Sequence, residues 1–317
     1  MDTEELVLLL AAAPGIGDRT IAHILRRLAV LRSTPDEFLH APPSDLQAEF
    51  GLRADSARRI ESLSQSDREA ACELARYLRR AGIVFCTVLD ASYPRSLVER
   101  LADPPPALYL YGAPGLLNRP LFAVANSNGA PESALAATDA LARIAVQLGI
   151  APVTGTNRPA YQRPALVARR AGSPVCYVLD RGLLDEFGGQ LGIEPVRAAR
   201  VWQPAYDAER DLTLSCFSPY HHALATHNRR RDEVLFALAS CVIAGHVRPG
   251  GQMDRQCRAA LGSGVPVFVA QCDGAADCVL QGSGATPLDP RNEEAVAAAL
   301  SAAATAAVPS LSPPIES

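Results

Sequence analysis

The stretch THNRRRDEVLFALASCVIAGHVRPGGQMDRQCRAALGSGVPVFVAQ, residues 226–271, decides the fold. A polar cluster at its start passes into an apolar helical run, and residues 241–246 then have the character of a buried strand. A glycine turn, a periodic segment at 252–261 and a second apolar run at 265–270 follow. The order strand, turn, helix, strand predicts a βαβ unit with a right-handed crossover.

The turn of this unit holds Gly250 and Gly251 directly after Arg248-Pro249. The carboxyl end of a strand and the amino end of a helix meet there, so we expect bare backbone N–H groups that can face an anion. A Pro-Gly-Gly sequence is also simply a good turn, and both interpretations stay open.

The chain outside this unit continues the alternation of strands and helices. Apolar runs predict four further strands, with helices between them, at 121–125, 151–154, 175–179 and 212–215. Near-continuous apolar strands are typical of a parallel sheet covered on both faces. The fold class we predict is α/β, a Rossmann-like, doubly wound, mostly parallel sheet preceded by a small all-helical domain.

The front of the chain, residues 1–80, is predicted to be that helical domain. Two helices flank the turn Pro14-Gly15-Ile16-Gly17, two short helices follow, and one longer helix is predicted over 54–80. The turn resembles a helix-hairpin-helix (SAM-like) module, whose glycine amides can face a DNA phosphate, although such a module equally often only packs. We assign residues 81–290 to the sheet domain and 291–317 to an Ala-rich helix with a disordered Pro/Ser tail.

Composition limits the class of protein. The 317 residues include 48% hydrophobic and 5% aromatic residues, which suits helices packed on a parallel sheet. We expect a cytoplasmic protein without membrane contact, because the start is acidic and no apolar run reaches the roughly 18 residues that span a bilayer. A net charge of −4 means that nucleic-acid binding would need a local patch.

The eight cysteines form no Cys-x-x-Cys pair, and we interpret them as core residues in a reducing compartment. His246 with Cys272 and Cys278 has the wrong spacing for zinc. His221, His222 and His227 have no carboxylate at a spacing typical of a metal site or a relay. We therefore predict no metal, no cofactor and no catalytic residue.

Residues 83–112 carry the most specific pattern of the chain. A strand is followed by Tyr-Pro-x-x-Leu at 93–97, by Asp-Pro-Pro-x-x-Leu-Tyr at 103–109 and by Gly112, all ahead of the sheet. This order, with the helical front and its glycine turn, resembles the DNA processing protein A (DprA, also called Smf) family over roughly residues 5–290. The resemblance implies a non-enzymatic homodimer that binds single-stranded DNA and passes it to a RecA-type recombinase during natural transformation.

Several motif positions depart from that family. Its Gly-Ser/Thr-Arg falls on Ala125-Asn126-Ser127, without the arginine, and its Ser-Gly-x-Ala-x-Gly-Ile-Asp falls on 154–161, where Tyr161 replaces the aspartate. Its Arg-Asn-Arg falls on Arg231-Asp232-Glu233. An anion site needs fixed cations, so we expect the fold to be kept better than the site.

The residues that remain still predict a phosphate-binding surface at the carboxyl edge of the sheet. They comprise neutral donors, glycine amides and a compact basic patch: Asn126, Ser127, Asn128, Thr154, Thr156, Asn157, Gly155, Gly250, Gly251, Arg158, Arg163, Arg229, Arg230, Arg231 and Arg248. We expect Arg231, which matches the retained motif arginine, to lie at the edge of the Gly250 turn as a surface charge. For each arginine the alternative is a solvated surface residue.

Two other functions stay open. One is a nucleotide-binding or nucleotide-hydrolysing enzyme on the same fold, for which Asp254, just past the glycine turn, is the candidate acid. The other is a scaffold that kept a partner surface after losing its ligand. An acid poised in the pocket would favour the enzyme, and a continuous arginine groove would favour the DNA-binding protein.

Overall fold

A computed structural model describes residues 1–188, 190–272 and 278–307, which form two compact units. Unit 1 comprises Met1–Tyr111, Arg181–Glu186 and Leu214–Ala223, and unit 2 comprises Gly112–Asp180, Phe187–Thr213 and the chain from Leu224 onward. The predicted domain boundaries after residues 80 and 290 stay predictions. The strand-forming residues before Gly112 belong instead to the same compact unit as the N-terminal helices.

Unit 1 begins with six helices. They are α1 (Thr3–Ala12), α2 (Asp18–Leu31), α3 (Pro35–His40), α4 (Pro43–Ala48), α5 (Ala54–Glu61) and α6 (Gln65–Arg80). The single helix expected over 54–80 is wrong, because Ser64 caps α6 by accepting from the N–H of Asp67 while the Asp67 side chain accepts from the N–H of Ser64. This reciprocal capping starts a new helix within an otherwise continuous periodic pattern.

An antiparallel strand pair completes the first part of unit 1. Strand β1 (Ile83–Thr87) pairs with β2 (Ala107–Gly112), with Ile83 opposite Tyr111, and α7 (Arg95–Arg100) lies between them in sequence. The Tyr93 hydroxyl donates to the Pro105 carbonyl at 2.8 Å, so the tyrosine and the proline run of the 83–112 pattern hold each other in place.

Unit 2 contains the parallel sheet and its covering helices. Its elements are β3 (Leu121–Ala125), α8 (Glu132–Gln147), β4 (Ala151–Thr154), α9 (Pro159–Arg170), β5 (Cys176–Val178), α10 (Leu183–Phe187, largely in unit 1), β6 (Leu212–Ser215, beginning in unit 2), α11 (His227–Leu238), β7 (Cys241–Ala244), α12 (Gln252–Gly262), β8 (Val267–Ala270), α13 (Cys278–Gln281), β9 (Thr286–Leu288) and α14 (Glu293–Ala307). Two short 3-10 helices add Pro114–Asn118 and Arg197–Val201.

The strands of unit 2 lie in the order β6-β5-β4-β3-β7-β8-β9. The pairings β4 with β5, β3 with β4, β3 with β7, β7 with β8, and β8 with β9 are all parallel. From β3 the chain moves outward through α8 to β4, whereas from β7 it moves the other way through α12 to β8. Right-handed crossovers in opposite directions place helices on opposite faces, so the predicted Rossmann-like, doubly wound fold is confirmed.

The ends of the chain differ in part from the sequence expectation. Strand β9 was not predicted, because three residues around Pro287 give no apolar run. Helix α14 packs on α8 and buries Val296, Leu300 and Ala303, so it belongs to unit 2. The Pro/Ser tail expected to be disordered lies outside the described residues. Within the described part of the chain, no helix has both the length and the apolar character that a bilayer crossing needs.

Candidate site at the carboxyl edge of the sheet

The strand order reverses between β3 and β7, and the loops after these two strands therefore define the crevice where this fold class binds ligands. The buried Asn126 follows β3. Its Oδ1 accepts from the N–H of His246 at 2.9 Å, and its Nδ2 donates to Thr138 Oγ1 at 3.1 Å. Both polar atoms of Asn126 thus join β3 to the end of β7 and to α8, and phosphate binding by Asn126 stays a prediction.

Ser127 also connects the loop after β3 to the loop after β7. Its N–H donates to the His246 carbonyl at 2.7 Å, and its Oγ accepts from the N–H of Arg248 at 2.9 Å. The β3 loop therefore shapes the β7 loop and holds Arg248 at the reversal point. The Arg248 side chain itself is exposed.

The glycine turn after β7 does not present the bare amides that we expected. Gly250 has φ +70° and donates its N–H to Asp254 Oδ2 at 2.8 Å, while the Gly251 N–H donates to the Arg248 carbonyl at 3.0 Å. The Asp254 carboxylate thus occupies the position at the start of α12 where an external anion would sit. Its other oxygen, Oδ1, accepts from Arg258 Nε at 2.8 Å, so the candidate acid is fully engaged.

Arg231 is a buried residue, and its expected placement as a surface charge is wrong. Only 1% of its surface is exposed. Its Nε donates to Asp232 Oδ1 at 2.8 Å, and its Nη1 donates to Asn157 Oδ1 at 3.2 Å. Its guanidinium also lies 4.1 Å from the centroid of the Tyr161 ring. The motif arginine therefore joins α11 to α9 and to the β4 loop.

Two departures from the family motifs contact each other in this cluster. The Tyr161 hydroxyl donates to Asp232 Oδ1 at 2.8 Å, the same oxygen that accepts from Arg231. Burial raises the pKa of Tyr161 and also raises the pKa of Asp232, while Arg231 opposes the shift at Asp232. A phenol and a carboxylate thus stand at the positions where the family has an aspartate and an asparagine, and they satisfy the arginine internally.

Gly155 and Asn157 close the cluster on the β4 side. A Cβ at Gly155 would lie 2.2 Å from Arg231 Nη1, so this glycine makes room for the guanidinium. Asn157 Nδ2 donates to Asp180 Oδ2 at 2.6 Å and to Asn228 Oδ1 at 2.7 Å. Thr154 donates its hydroxyl to the Tyr161 carbonyl, and the Thr156 carbonyl accepts from Gln162 at 2.7 Å. Thr154 and Asn157 therefore join the hydrogen-bond network around Arg231.

The remaining arginines divide into paired and unpaired groups. Arg163 pairs with Asp139 at 2.7 Å, which raises its pKa, and also with Glu132 at 2.9 Å. Arg229 and Arg230 both pair with Glu233, at 3.0 and 3.4 Å. These acids lower the net positive charge at this edge, and whether the three arginines bind a strand stays a prediction.

Arg158 and Arg248 are the two cations of the predicted patch that pair with no carboxylate among the described residues. Arg158 is half-buried and donates to Asn128 Oδ1 at 3.5 Å, and Arg248 is exposed. They follow β4 and β7, which flank β3, and so they bracket the reversal point of the sheet. Binding of a strand by these two residues remains a prediction that the geometry permits.

Two other side-chain clusters come from residues far apart in sequence. In unit 1, His222 Nδ1 contacts the Asp185 carboxylate, a partner 37 residues away that sequence spacing did not reveal. In unit 2, the buried Arg169 pairs with Glu194 and with Asp211, each at 2.7 Å, which anchors the loosely patterned segment after α10. Among the described residues, no group of histidine, cysteine and acidic side chains could hold a metal ion.

The fold and the reversal-point loops place unit 2 in the class of Rossmann-like, doubly wound α/β proteins. Similar solved structures include DNA processing protein A from Streptococcus pneumoniae, with a TM-score of 0.70 and 19% identity over 93% of this chain and 98% of that one. Another is DNA processing protein A from Helicobacter pylori, described for its single-stranded DNA binding mode. Its TM-score is 0.54, with 21% identity over 69% of this chain and 96% of that one. No protein-family model and no curated protein matches the sequence. The chain thus has the fold of the DNA processing protein A structures.

Proposed function

We propose that this protein binds single-stranded DNA in a DNA-processing role like that of the DprA proteins. The observation that carries the proposal is the shared architecture, which extends over 93% of the chain in one comparison. The Helicobacter pylori structure of the same fold is described as binding single-stranded DNA. The crevice between the β3 and β7 loops is the corresponding place for a ligand in this fold class.

The contacts at that crevice predict weak binding. Arg158 and Arg248 lack carboxylate partners among the described residues, whereas Arg163, Arg229, Arg230 and Arg231 are paired with acids. Two phosphate contacts give a salt slope of only about −1.4, since each contributes about 0.7 for a single strand. We expect a dissociation constant on the order of micromolar or weaker at physiological salt.

The finer parts of the proposal rest on the family resemblance. The protein would act as a cytoplasmic homodimer and pass the strand to a RecA-type recombinase during DNA uptake by natural transformation. Light scattering on the purified chain measures the oligomeric state. Assembly of RecA on coated strands, with and without the protein, measures the loading step.

A salt titration of strand binding tests the main proposal. Anisotropy of a labelled oligothymidylate is measured with the wild type, with the Arg158→Ala/Arg248→Ala double variant and with Arg229→Ala, whose exposed guanidinium is already paired. We expect the double variant to bind more weakly and to lower the salt slope by about 1.4, and the control to keep the wild-type affinity and slope. Nanomolar binding, or equal loss in the control, would contradict this assignment of the site.

The nucleotide-hydrolysing alternative loses its candidate acid. Both oxygens of Asp254 are engaged within the protein, by the Gly250 amide and by Arg258. General acid or base catalysis needs a carboxylate within hydrogen-bond reach of the scissile bond. No described contact favours the scaffold alternative over strand binding.

A further inference from the structure

Trp202 lies partly exposed on unit 2, away from the crevice. The indole keeps 44% of its surface exposed, and the neighbouring Val201 is 80% exposed. The Arg170 guanidinium lies 4.6 Å from the centroid of the Trp202 ring. The cation therefore covers part of the ring, and the exposed remainder offers an aromatic surface to solvent.

The segment that carries this ring is firmly anchored. Trp202 follows the 3-10 helix Arg197–Val201, and its backbone N–H donates to the Ala199 carbonyl at 2.9 Å. On either side of the segment, Glu194 and Asp211 pair with the buried Arg169, the residue before Arg170. Immobilising a side chain on binding costs affinity, and a ring that is already held in place avoids part of that cost.

Exposed arginines lie on the segments that carry the ring and its neighbour Arg170. Four exposed arginines belong to the same region and, among the described residues, pair with no carboxylate: Arg170, Arg197, Arg200 and Arg210. Arg200 donates to the Glu194 carbonyl at 2.9 Å, and Arg210 donates to the Gly172 carbonyl at 2.6 Å. The acids of this segment are Glu194, Asp207, Glu209 and Asp211. Glu194 and Asp211 are buried and pair with Arg169, so the four exposed arginines outnumber the two remaining acids in a chain of net charge −4. We call Trp202 with these four arginines the Trp202 platform.

The platform is separate from the crevice. Helix α9 begins at Pro159, beside the β4 loop at the carboxyl edge, and ends at Arg170. Its 12 residues span about 18 Å at 1.5 Å per residue. The platform therefore lies toward the amino edge of the sheet, where Arg210 and Gly172 precede β6 and β5.

We propose that the Trp202 platform is a base-stacking subsite for a single strand of nucleic acid. Unpaired bases stack on exposed aromatic rings while guanidinium groups contact the phosphates, and this combination recurs in proteins that bind single strands without sequence preference. A duplex keeps its bases inside and cannot use the ring in this way. A second copy of the chain, docked symmetrically, would bring the same arginines together and is disfavoured by repulsion. The inference rests on the proposed single-strand binding and adds a second contact surface to it.

Trp202 is the sole tryptophan of the chain, so its fluorescence reports on the platform alone. We expect an unlabelled oligothymidylate of about 12 nucleotides, within the usual site sizes, to quench the emission of the full-length protein. A duplex of equal length should leave it unchanged. Emission that changes with protein concentration alone would indicate an interface between copies and would overturn the proposal.

Variants separate the platform from the crevice. By anisotropy with a labelled strand, Trp202→Ala should weaken binding roughly 5- to 100-fold, as expected for one lost stacking contact. Trp202→Phe should recover most of the affinity, and Arg170→Gln should lower the salt slope by about 0.7. Val201→Ala, which changes the exposed neighbour, should match the wild type.

The outcomes distinguish the two proposals. Strand binding that is unchanged in Trp202→Ala, with no quenching in the wild type, overturns the platform and leaves the crevice proposal standing. Loss of binding in Trp202→Ala with a normal thermal transition supports the platform. Absence of any strand binding by the wild type overturns both.

Discussion

The guanidinium of Arg231 lies 4.1 Å from the centroid of the Tyr161 ring, and the hydroxyl of Tyr161 donates to the same Asp232 oxygen that accepts from Arg231. One cation, one ring and one carboxylate thus satisfy one another in the interior. A phosphate could reach Arg231 only by displacing protein groups. The motif arginine consequently supports the fold of this edge, and strand binding by Arg231 stays a prediction.

Arg231→Ala should destabilise the protein strongly. Removal of one partner of a buried ion pair leaves the other charge uncompensated, which typically costs about 3–5 kcal/mol. The loss is measured as a shift of the urea midpoint and of the melting temperature. Arg229→Ala on the same helix removes an exposed, paired arginine and should change stability by about 0.5 kcal/mol or less. Equal, small effects of both substitutions would place Arg231 at the surface after all.

Gly155→Ala should destabilise through a steric conflict with Arg231. The added Cβ would lie 2.2 Å from Arg231 Nη1, and overpacking of this kind typically costs about 1–3 kcal/mol. Gly115→Ala is the matched control, since a Cβ there meets no atom within 4 Å. The two glycine variants are compared by thermal unfolding.

A double-mutant cycle then identifies the cause. In an Arg231→Ala background the conflict is absent, so Gly155→Ala should cost much less than it does in the wild type. Additive effects of the two substitutions would mean that Gly155 is needed for some other reason.

Most strands of the sheet were predictable because they are largely apolar runs, whereas β9 lacks such a run and was missed. Strand β6 occupies the residues that the sequence pattern indicates, 212–215, and β3 does so at 121–125. Only apolar periodicity and turn chemistry were needed for this, and both are local. The boundary between α5 and α6 is also encoded in the local sequence, by the reciprocal capping of Ser64 and Asp67. Helical periodicity continues across this boundary and therefore suggested one helix.

The interior of the site could not be predicted in the same way. Arg231 is separated by about 70 residues from Tyr161, which covers it, and by 74 from Asn157, to which it donates. Neither periodicity nor spacing encodes such a contact, and arginine is seldom buried without a partner. Trp202 was missed for a related reason, since its importance depends on Arg170 across a segment with no clear pattern.

Asp254→Ala should lower stability without removing any catalytic activity. The carboxylate accepts from the Gly250 N–H and from Arg258, and loss of a helix-start contact typically costs about 0.5–2 kcal/mol. Incubation of the wild type with nucleoside monophosphates and NAD should release no free base or nicotinamide, as measured by chromatography. Release by the wild type that disappears in Asp254→Asn would establish the enzyme alternative.

Alkaline pH should lower the free energy of unfolding because the protein buries several tyrosines. Burial raises the pKa of Tyr109, Tyr161, Tyr177 and Tyr206 above the ordinary value near 10. A group with a raised folded pKa contributes stability that is complete below its unfolded pKa and is lost as pH rises toward the folded one. Between these values the unfolded chain releases protons that the folded chain keeps, so the free energy of unfolding falls by about 1.4 kcal/mol per pH unit for each tyrosine.

The test is the urea midpoint followed from pH 8 upward, with Tyr161→Phe beside the wild type. Phenylalanine cannot ionise, so above about pH 10 the free energy of unfolding should fall less steeply in the variant. The difference in slope should be the contribution of one tyrosine, about 1.4 kcal/mol per pH unit. At neutral pH the variant should instead be less stable, because Asp232 loses the donor that Tyr161 provides while Arg231 still pairs with it. The wild-type and variant curves should therefore converge as pH rises. Parallel curves would show that the Tyr161 hydroxyl ionises as freely in the folded protein as in the unfolded chain.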